Sequence, residues 1–273
     1  MQKIVFNGHY LLYLDTAVGG YWRALALPYE DTMHQLGGDL YVKKATLEYH
    51  ASARYDDTLD IALKCAHIGN SSMRFVAAVF RGDTLLVSGE LLYVFANPAT
   101  QKSQAVPGVL REVLMGYEAG QAMIHIQTGD WATLGTDAGA LRQAVFMQEQ
   151  GVSQADEYDG RDVDALHAVA YNRLGQAVAT ARLLPGAHIG RMAVTRVLRG
   201  SGFGREVLAA LLQAATASGA SQAVLHAQCS AQGFYARAGF TPRGSVFDDA
   251  GLPHIEMVKI LPAADALMPA PKR

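Results

Sequence analysis

The segment Arg199-Gly200-Ser201-Gly202-Phe203-Gly204-Arg205 constrains this chain more than any other stretch. It lies between a β-rich run, His188 to Thr195, and an amphipathic helix, Gly202 to Ala217. The apolar face of that helix is Phe203, Val207, Leu208, Leu211, Leu212 and Ala215. A strand that passes through glycines directly into a helix lets its backbone approach a ligand closely. Successive N–H groups and the positive helix end then form an anion site. Arg199 and Arg205 add charge, and a diphosphate is the natural occupant. A dinucleotide fingerprint starting at Gly200 would need glycine at Arg205, and one starting at Gly202 would need glycine or alanine at Val207. No acid stands near Ala220 to hold a ribose, and no Gly-Lys-Ser/Thr occurs to make a P-loop.

Helix and strand alternate around this unit. Met123 to Gln127 reads as a strand and Leu134 to Gln148 as a helix. Strands Ala165 to Tyr171 and Ala177 to Leu184 flank the turn Asn172 to Gly175, and Gln222 to Gln228 follows as a further strand. The alternation runs to Lys259 and predicts a mixed α/β domain. Before Gly120 the pattern is different. A helix spans His9 to Leu25, with Leu11, Leu14, Val18, Tyr21, Trp22 and Leu25 at helical spacing. Gly19-Gly20 in its middle predicts close approach of another backbone. After a turn at Gly37-Gly38 come four strands: Tyr41 to Tyr49, Leu59 to Cys65, Met73 to Phe80 and Leu85 to Phe95. Turn residues at Gly69-Asn70-Ser71 and Gly82-Asp83 make them antiparallel hairpins. Pro107 opens a short helix, Val109 to Tyr117, and Glu118 to Gln121 reads as a linker. The expected domains are therefore 1–120 and 121–261, with a flexible tail at 262–273.

The 273 residues suit two cores, at roughly 100–200 residues each. Half are hydrophobic and 18% charged, which is too apolar for a disordered chain. A net charge of −2 supplies no bulk field for nucleic acid. Two distant cysteines, Cys65 and Cys229, make neither a disulfide framework nor a zinc spacing. No metal is expected. With no signal-peptide layout and no apolar run of ~18 residues, the expectation is a cytoplasmic protein without a membrane partner.

From Gln121 to Ile260 the sequence resembles the GNAT N-acetyltransferase superfamily. Arg199 to Gly204 contains its pyrophosphate loop, Arg/Gln-x-x-Gly-x-Gly/Ala. Phe234-Tyr235-Ala236-Arg237-Ala238-Gly239-Phe240 is similar to its Phe-Tyr-x-x-x-Gly-Phe motif. Val145 to Val152 and His226-Ala227-Gln228 resemble a bacterial subgroup of that superfamily. The resemblance implies acetyl-CoA as donor and an amine as acceptor. It implies that the backbone of Met192, Ala193 and Val194 binds the pantetheine arm. Arg199, Gly200, Ser201, Gly202, Phe203, Gly204 and Arg205 would hold the pyrophosphate, and Tyr235 would protonate the leaving thiolate. Glu149, His226, Asp248, His254 and Glu256 all have the chemistry of a general base. Glu149 leads, because it follows the helix that builds the acceptor wall in that family, and His226 comes second.

From Met1 to about Tyr117 the sequence resembles the hotdog fold of 4-hydroxybenzoyl-CoA thioesterase-like proteins. Ile4-Val5-Phe6-Asn7-Gly8-His9-Tyr10 matches their Asp-x-x-Gly-Val-Val-Tyr/Phe motif running into the helix, and Tyr93-Val94-Phe95 fits as well. The resemblance implies an antiparallel sheet wrapped on a long helix. The helix start at Asn7, Gly8 and His9 would hold a thioester oxygen. Counting back from Phe6, the family's Asp falls before Met1, as does its first strand, and Lys3 replaces a glycine. Asp15 is the candidate substitute. The fold expectation is α+β, a hotdog domain followed by a GNAT domain. The functional expectation is an N-acyltransferase fused to a thioesterase-like domain. The alternatives for the first domain are oligomerisation and acyl-CoA binding, or thioester hydrolysis beside a CoA-sensing second domain. Pairing of hotdog sheets implies a homodimer or higher oligomer.

Overall fold

The computed structural model describes residues 3–262, and all but the first residue of the expected 262–273 tail lies outside them. The chain divides into two compact units, Met1–Met123 and Ile124–Arg273.

The first unit opens with α1 (Asn7–Ala24) and α2 (Tyr29–Leu36). Four strands follow: β1 (Asp39–Tyr49), β2 (Asp60–Ile68), β3 (Ser72–Arg81) and β4 (Thr84–Ala96). All pairs are antiparallel, in the order β1-β4-β3-β2. Helix α1 buries Tyr10, Leu14, Tyr21 and Trp22. Leu14 comes down over Gly89 of β4, where an added Cβ would lie 2.7 Å from Leu47 and 3.5 Å from Leu14. Tyr21 meets the Phe75 ring edge-on at 5.3 Å. A long helix laid on an antiparallel sheet is the hotdog arrangement. The helix α3 (Gly108–Glu118) closes the unit.

Three expectations for this unit change. Nothing lies within 4 Å of a Cβ built on Gly19, and only the Arg23 guanidinium approaches Gly20, so the expected close backbone contact is absent among the described residues. Glu118 belongs to α3 rather than to a linker. Its carboxylate accepts from the Tyr21 hydroxyl and the Cys65 N–H, both at 2.7 Å, which ties the helix end to the sheet. Helix α2 is additional, although its signals are ordinary: Pro28 before it, Glu30 and Asp31 in its first turn, and Gly37 at φ +68° after it.

The second unit is a seven-stranded sheet in the order β10-β11-β9-β8-β7-β6-β5. Its elements are β5 (Ile124–Gly129), α4 (Trp131–Arg142), α5 (Gln154–Glu157), β6 (Leu166–Asn172), β7 (Ala177–Leu184) and β8 (His188–Val194). Then come α6 (Phe203–Ala217), β9 (Gln222–Gln228), α7 (Gln232–Arg237), β10 (Thr241–Asp249) and β11 (Leu252–Ile260). After Arg142, α4 widens into a π-helix, Gln143–Glu149. Strands β6 and β7 are buried along nearly their whole length, so both sheet faces are covered there. Helices α4 and α6 both pack on these strands. All neighbours are antiparallel except β8 and β9. The expected alternation ends early, since β10 and β11 form a hairpin.

Candidate functional site

The site begins where two strands part. β8 and β9 pair in parallel only at His188↔Val224 and Ile189↔Leu225. Two residues further along β8, Arg191 takes φ +50°, a conformation that breaks a regular ladder. Met192, Ala193 and Val194 continue beside β7 alone, and their other edge faces a cavity of about 640 Å³.

The glycine loop closes one end of that cavity. Gly200 and Gly202 have φ of +86° and +95°, values open to glycine and strained for other residues. Gly202 caps α6 with no side-chain acceptor, so the opening N–H groups of the helix remain available to an anion. A Cβ on Gly204 would lie 3.1 Å from Val194 Cγ2, which brings the helix start against the end of β8.

Arg199 is used differently from expectation. Its Nη1 and Nη2 donate to Glu149 at 2.5 and 2.7 Å, and its Nε donates to the Val194 carbonyl at 3.2 Å. In this arrangement Glu149 is the ion-pair partner of Arg199. It lines neither cavity, and the Arg199 guanidinium holds its carboxyl below the ordinary glutamate value. The pair struts the loop against the end of the π-helix and leaves Arg205 as the loop cation without an ion-pair partner among the described residues.

Tyr235 sits at the junction of two cavities. Its hydroxyl lies 3.5 Å from Met192 Sδ, and its ring meets Phe234 and Phe240 edge-on at 5.0 and 6.0 Å. Burial pushes the phenol up to about 12, so it is a proton donor throughout the physiological range.

The second cavity, about 530 Å³, adjoins the first at Gln150, Met192, Gln228 and Tyr235. His226 lines it. Its ring meets His188 edge-on at 4.8 Å and Phe247 at 5.0 Å. His188 is half-buried, and its Nδ1 has no hydrogen-bond partner among the described residues. Desolvation, followed by the neighbouring His226, lowers the His188 pKa. His254 lines the same cavity, its Nδ1 on the Leu252 carbonyl at 2.9 Å. Glu256 is paired with Arg243, and Asp248 accepts from the Gly251 N–H at 3.1 Å. No group of histidine, cysteine and acid that could hold a metal occurs among the described residues.

Sequence reading missed His188 and an ionic cluster in the cavity wall: Arg142, Glu157, Asp159, Asp162, Arg182 and Arg191. Each of its pairs joins residues 15 or more positions apart, and no local pattern marks them.

In the first unit, Asn7, Gly8 and His9 open α1 without a side-chain cap and without an acid in the first turn. Asp15 is exposed on the same helix, seven residues beyond Gly8. At 1.5 Å per residue that is about 10 Å along the axis from the helix start.

Comparison with known proteins agrees with this division. Residues 139–261 match the family model for the GNAT acetyltransferase domain, and residues 2–94 match that of the thioesterase superfamily. A UPF0039 protein of Synechocystis is 38% identical over 133 residues, 45% of this chain and 84% of that protein. The uncharacterized N-acetyltransferase YjcF of Bacillus subtilis is 34% identical over 128 residues, 45% of this chain and 90% of that protein. The crystal structure of Escherichia coli ElaA is 31% identical and covers 50% of this chain and 99% of its own, with a TM-score of 0.46. The chain belongs to the GNAT acetyltransferase family through its second unit, which follows a hotdog domain of the thioesterase superfamily.

Proposed function

We propose that the second unit transfers an acetyl group from acetyl-CoA to the nitrogen of an amine. The observation that carries this reading is the parting of β8 and β9. It opens a slot with a glycine loop at one end and the Tyr235 hydroxyl at Met192. The loop from Gly200 to Arg205, with the first N–H groups of α6, binds the pyrophosphate. The backbone of Met192, Ala193 and Val194 holds the pantetheine arm and polarises the thioester carbonyl. His226, next to His188 in the adjoining cavity, takes the proton that the attacking amine loses, directly or through water. As the nitrogen–carbon bond forms and the carbon–sulfur bond breaks, Tyr235 gives its proton to the departing sulfur. The products are an amide and a thiol.

For the first unit, the start of α1, with no side-chain cap and no acid in its own first turn, supports acyl-CoA binding or subunit association. Thiol release from acetyl-CoA, measured with and without a panel of amines, tests both readings. Release that depends on an amine supports transfer. Equal release without any amine would make hydrolysis the main activity.

A further inference from the structure

One wall of the second cavity is built from a largely buried ionic network whose effect is geometric. Arg142 is 1% exposed. It donates to Glu157 through Nε and to both Asp162 oxygens at 2.7 and 3.0 Å. Arg182, 3% exposed, donates from Nη1 to Asp159 and Asp162, both at 2.8 Å. Arg191 pairs with Glu157 at 3.1 Å and with Asp159 at 3.4 Å. The three guanidinium groups and three carboxylates balance. Such a network stabilises a fold little, because desolvation of each ion offsets its attraction. What it does here is fix a nearly irregular segment. Arg182 grips the carboxylates on both sides of Arg161, and the Arg161 N–H donates to Asp159 at 3.2 Å.

Arg161 is thus anchored through its neighbours while its own side chain is free. It lines the cavity that holds His226 and His188 and has no carboxylate within ion-pair distance among the described residues. Its charge reaches His188, where it adds to the lowering of the imidazole pKa by desolvation and by His226. The same wall includes two acids without a cationic partner among the described residues, Asp249 and Asp156. The Asp156 carboxylate accepts from the Ser153 hydroxyl at 2.6 Å. A cavity with one unpaired cation and unpaired acids suits a molecule that carries both charges.

We propose that the acceptor is an amine that also bears a carboxylate, and that Arg161 binds that carboxylate. The inference rests on the acetyl-transfer reading above. The test uses the full chain and acetyl-CoA with matched sets: α-, β- and γ-amino acids, their carboxamides and their decarboxylated amines. A hydrogen bond to a charged group implies that the carboxylate member has kcat/KM about 10-fold to 100-fold above its partners. Arg161→Gln should raise KM for that member by a similar factor. The loss should fall on the carboxylate member far more than on its carboxamide, KM for acetyl-CoA should not follow it, and Arg161→Lys should restore part of the loss. Preference for the carboxylate-free members, or an equal effect of Arg161→Gln on both kinds, would overturn the proposal and leave acetyl transfer standing. Binding of acetyl-CoA with turnover of no amine would overturn acetyl transfer and this proposal with it.

Discussion

Tyr235→Phe separates the chemistry of the site from its packing. The hydroxyl makes a single hydrogen bond among the described residues, to a sulfur at 3.5 Å, and thioether sulfur is a weak acceptor. Its removal leaves no strong partner unsatisfied, so folding stability should change by less than about 1 kcal/mol. The ring keeps its edge contacts with Phe234 and Phe240. Catalysis should respond far more strongly. A positioned general acid contributes about 10²–10⁴-fold, which at 1.36 kcal/mol per decade is about 3–5 kcal/mol of transition-state stabilisation. The assay is steady-state thiol release with a saturating amine, alongside calorimetric titration of acetyl-CoA. The expected result is a fall in kcat of that size, little change in acetyl-CoA affinity and an unchanged melting curve. Because burial pushes the phenol up to about 12, the wild-type rate should show no alkaline decline due to this group below about pH 11. Wild-type turnover by the phenylalanine variant would remove Tyr235 from the mechanism.

Glu149→Gln breaks the charge balance of the Arg199 strut, so it should alter KM for acetyl-CoA and leave the pH dependence of kcat in place; a lost limb of the kcat profile would restore Glu149 as the base. His167 and His188 both have pKa values lowered chiefly by burial, so the unfolded chain takes up protons at these rings before the folded chain does. Their contribution to stability is complete above the unfolded value of ~6.5 and declines as pH falls through it, so the melting temperature should drop between about pH 7.5 and pH 5.5, and a flat profile would contradict this. Asp15→Asn should leave amine-independent thiol release unchanged, because the carboxylate is about 10 Å along the helix axis from Gly8; a large loss would bring Asp15 back as a catalytic group.

The parts of this molecule that were legible in its sequence are those set by local chemistry. The glycines of the loop announce positive φ and close approach; the first occurs at Gly200 and Gly202 and the second at Gly204. The β-rich run Leu85 to Phe95 forms β4, whose Val87, Leu91, Tyr93 and Phe95 share one buried face with Gly89, against which Leu14 of α1 packs. Long-range pairing was illegible. Glu149 had the right chemistry and the right place in the chain for a base, yet Arg199, fifty residues away, claims its carboxylate. The switch from α to π geometry after Arg142 changes which side chains face the cavity, and nothing in Gln143–Glu149 marks it by composition. Gly19-Gly20 shows the opposite failure, since a glycine pair suggested a contact that its own unit does not supply.

On the proposed function, the loop before α6 binds the diphosphate of acetyl-CoA. Isothermal titration of the full chain with acetyl-CoA tests it most directly, with Gly202→Asp as the partner measurement. Gly202 sits at φ +95° at the mouth of the helix, so aspartate there introduces strain and a negative charge where the pyrophosphate would lie. The wild-type chain should bind saturably, with a melting temperature that rises with ligand concentration, and both should be lost in a variant whose circular dichroism still shows a folded protein. A folded wild-type chain that takes up no acetyl-CoA, or a Gly202→Asp variant that binds it unchanged, would rule out this loop as the diphosphate site.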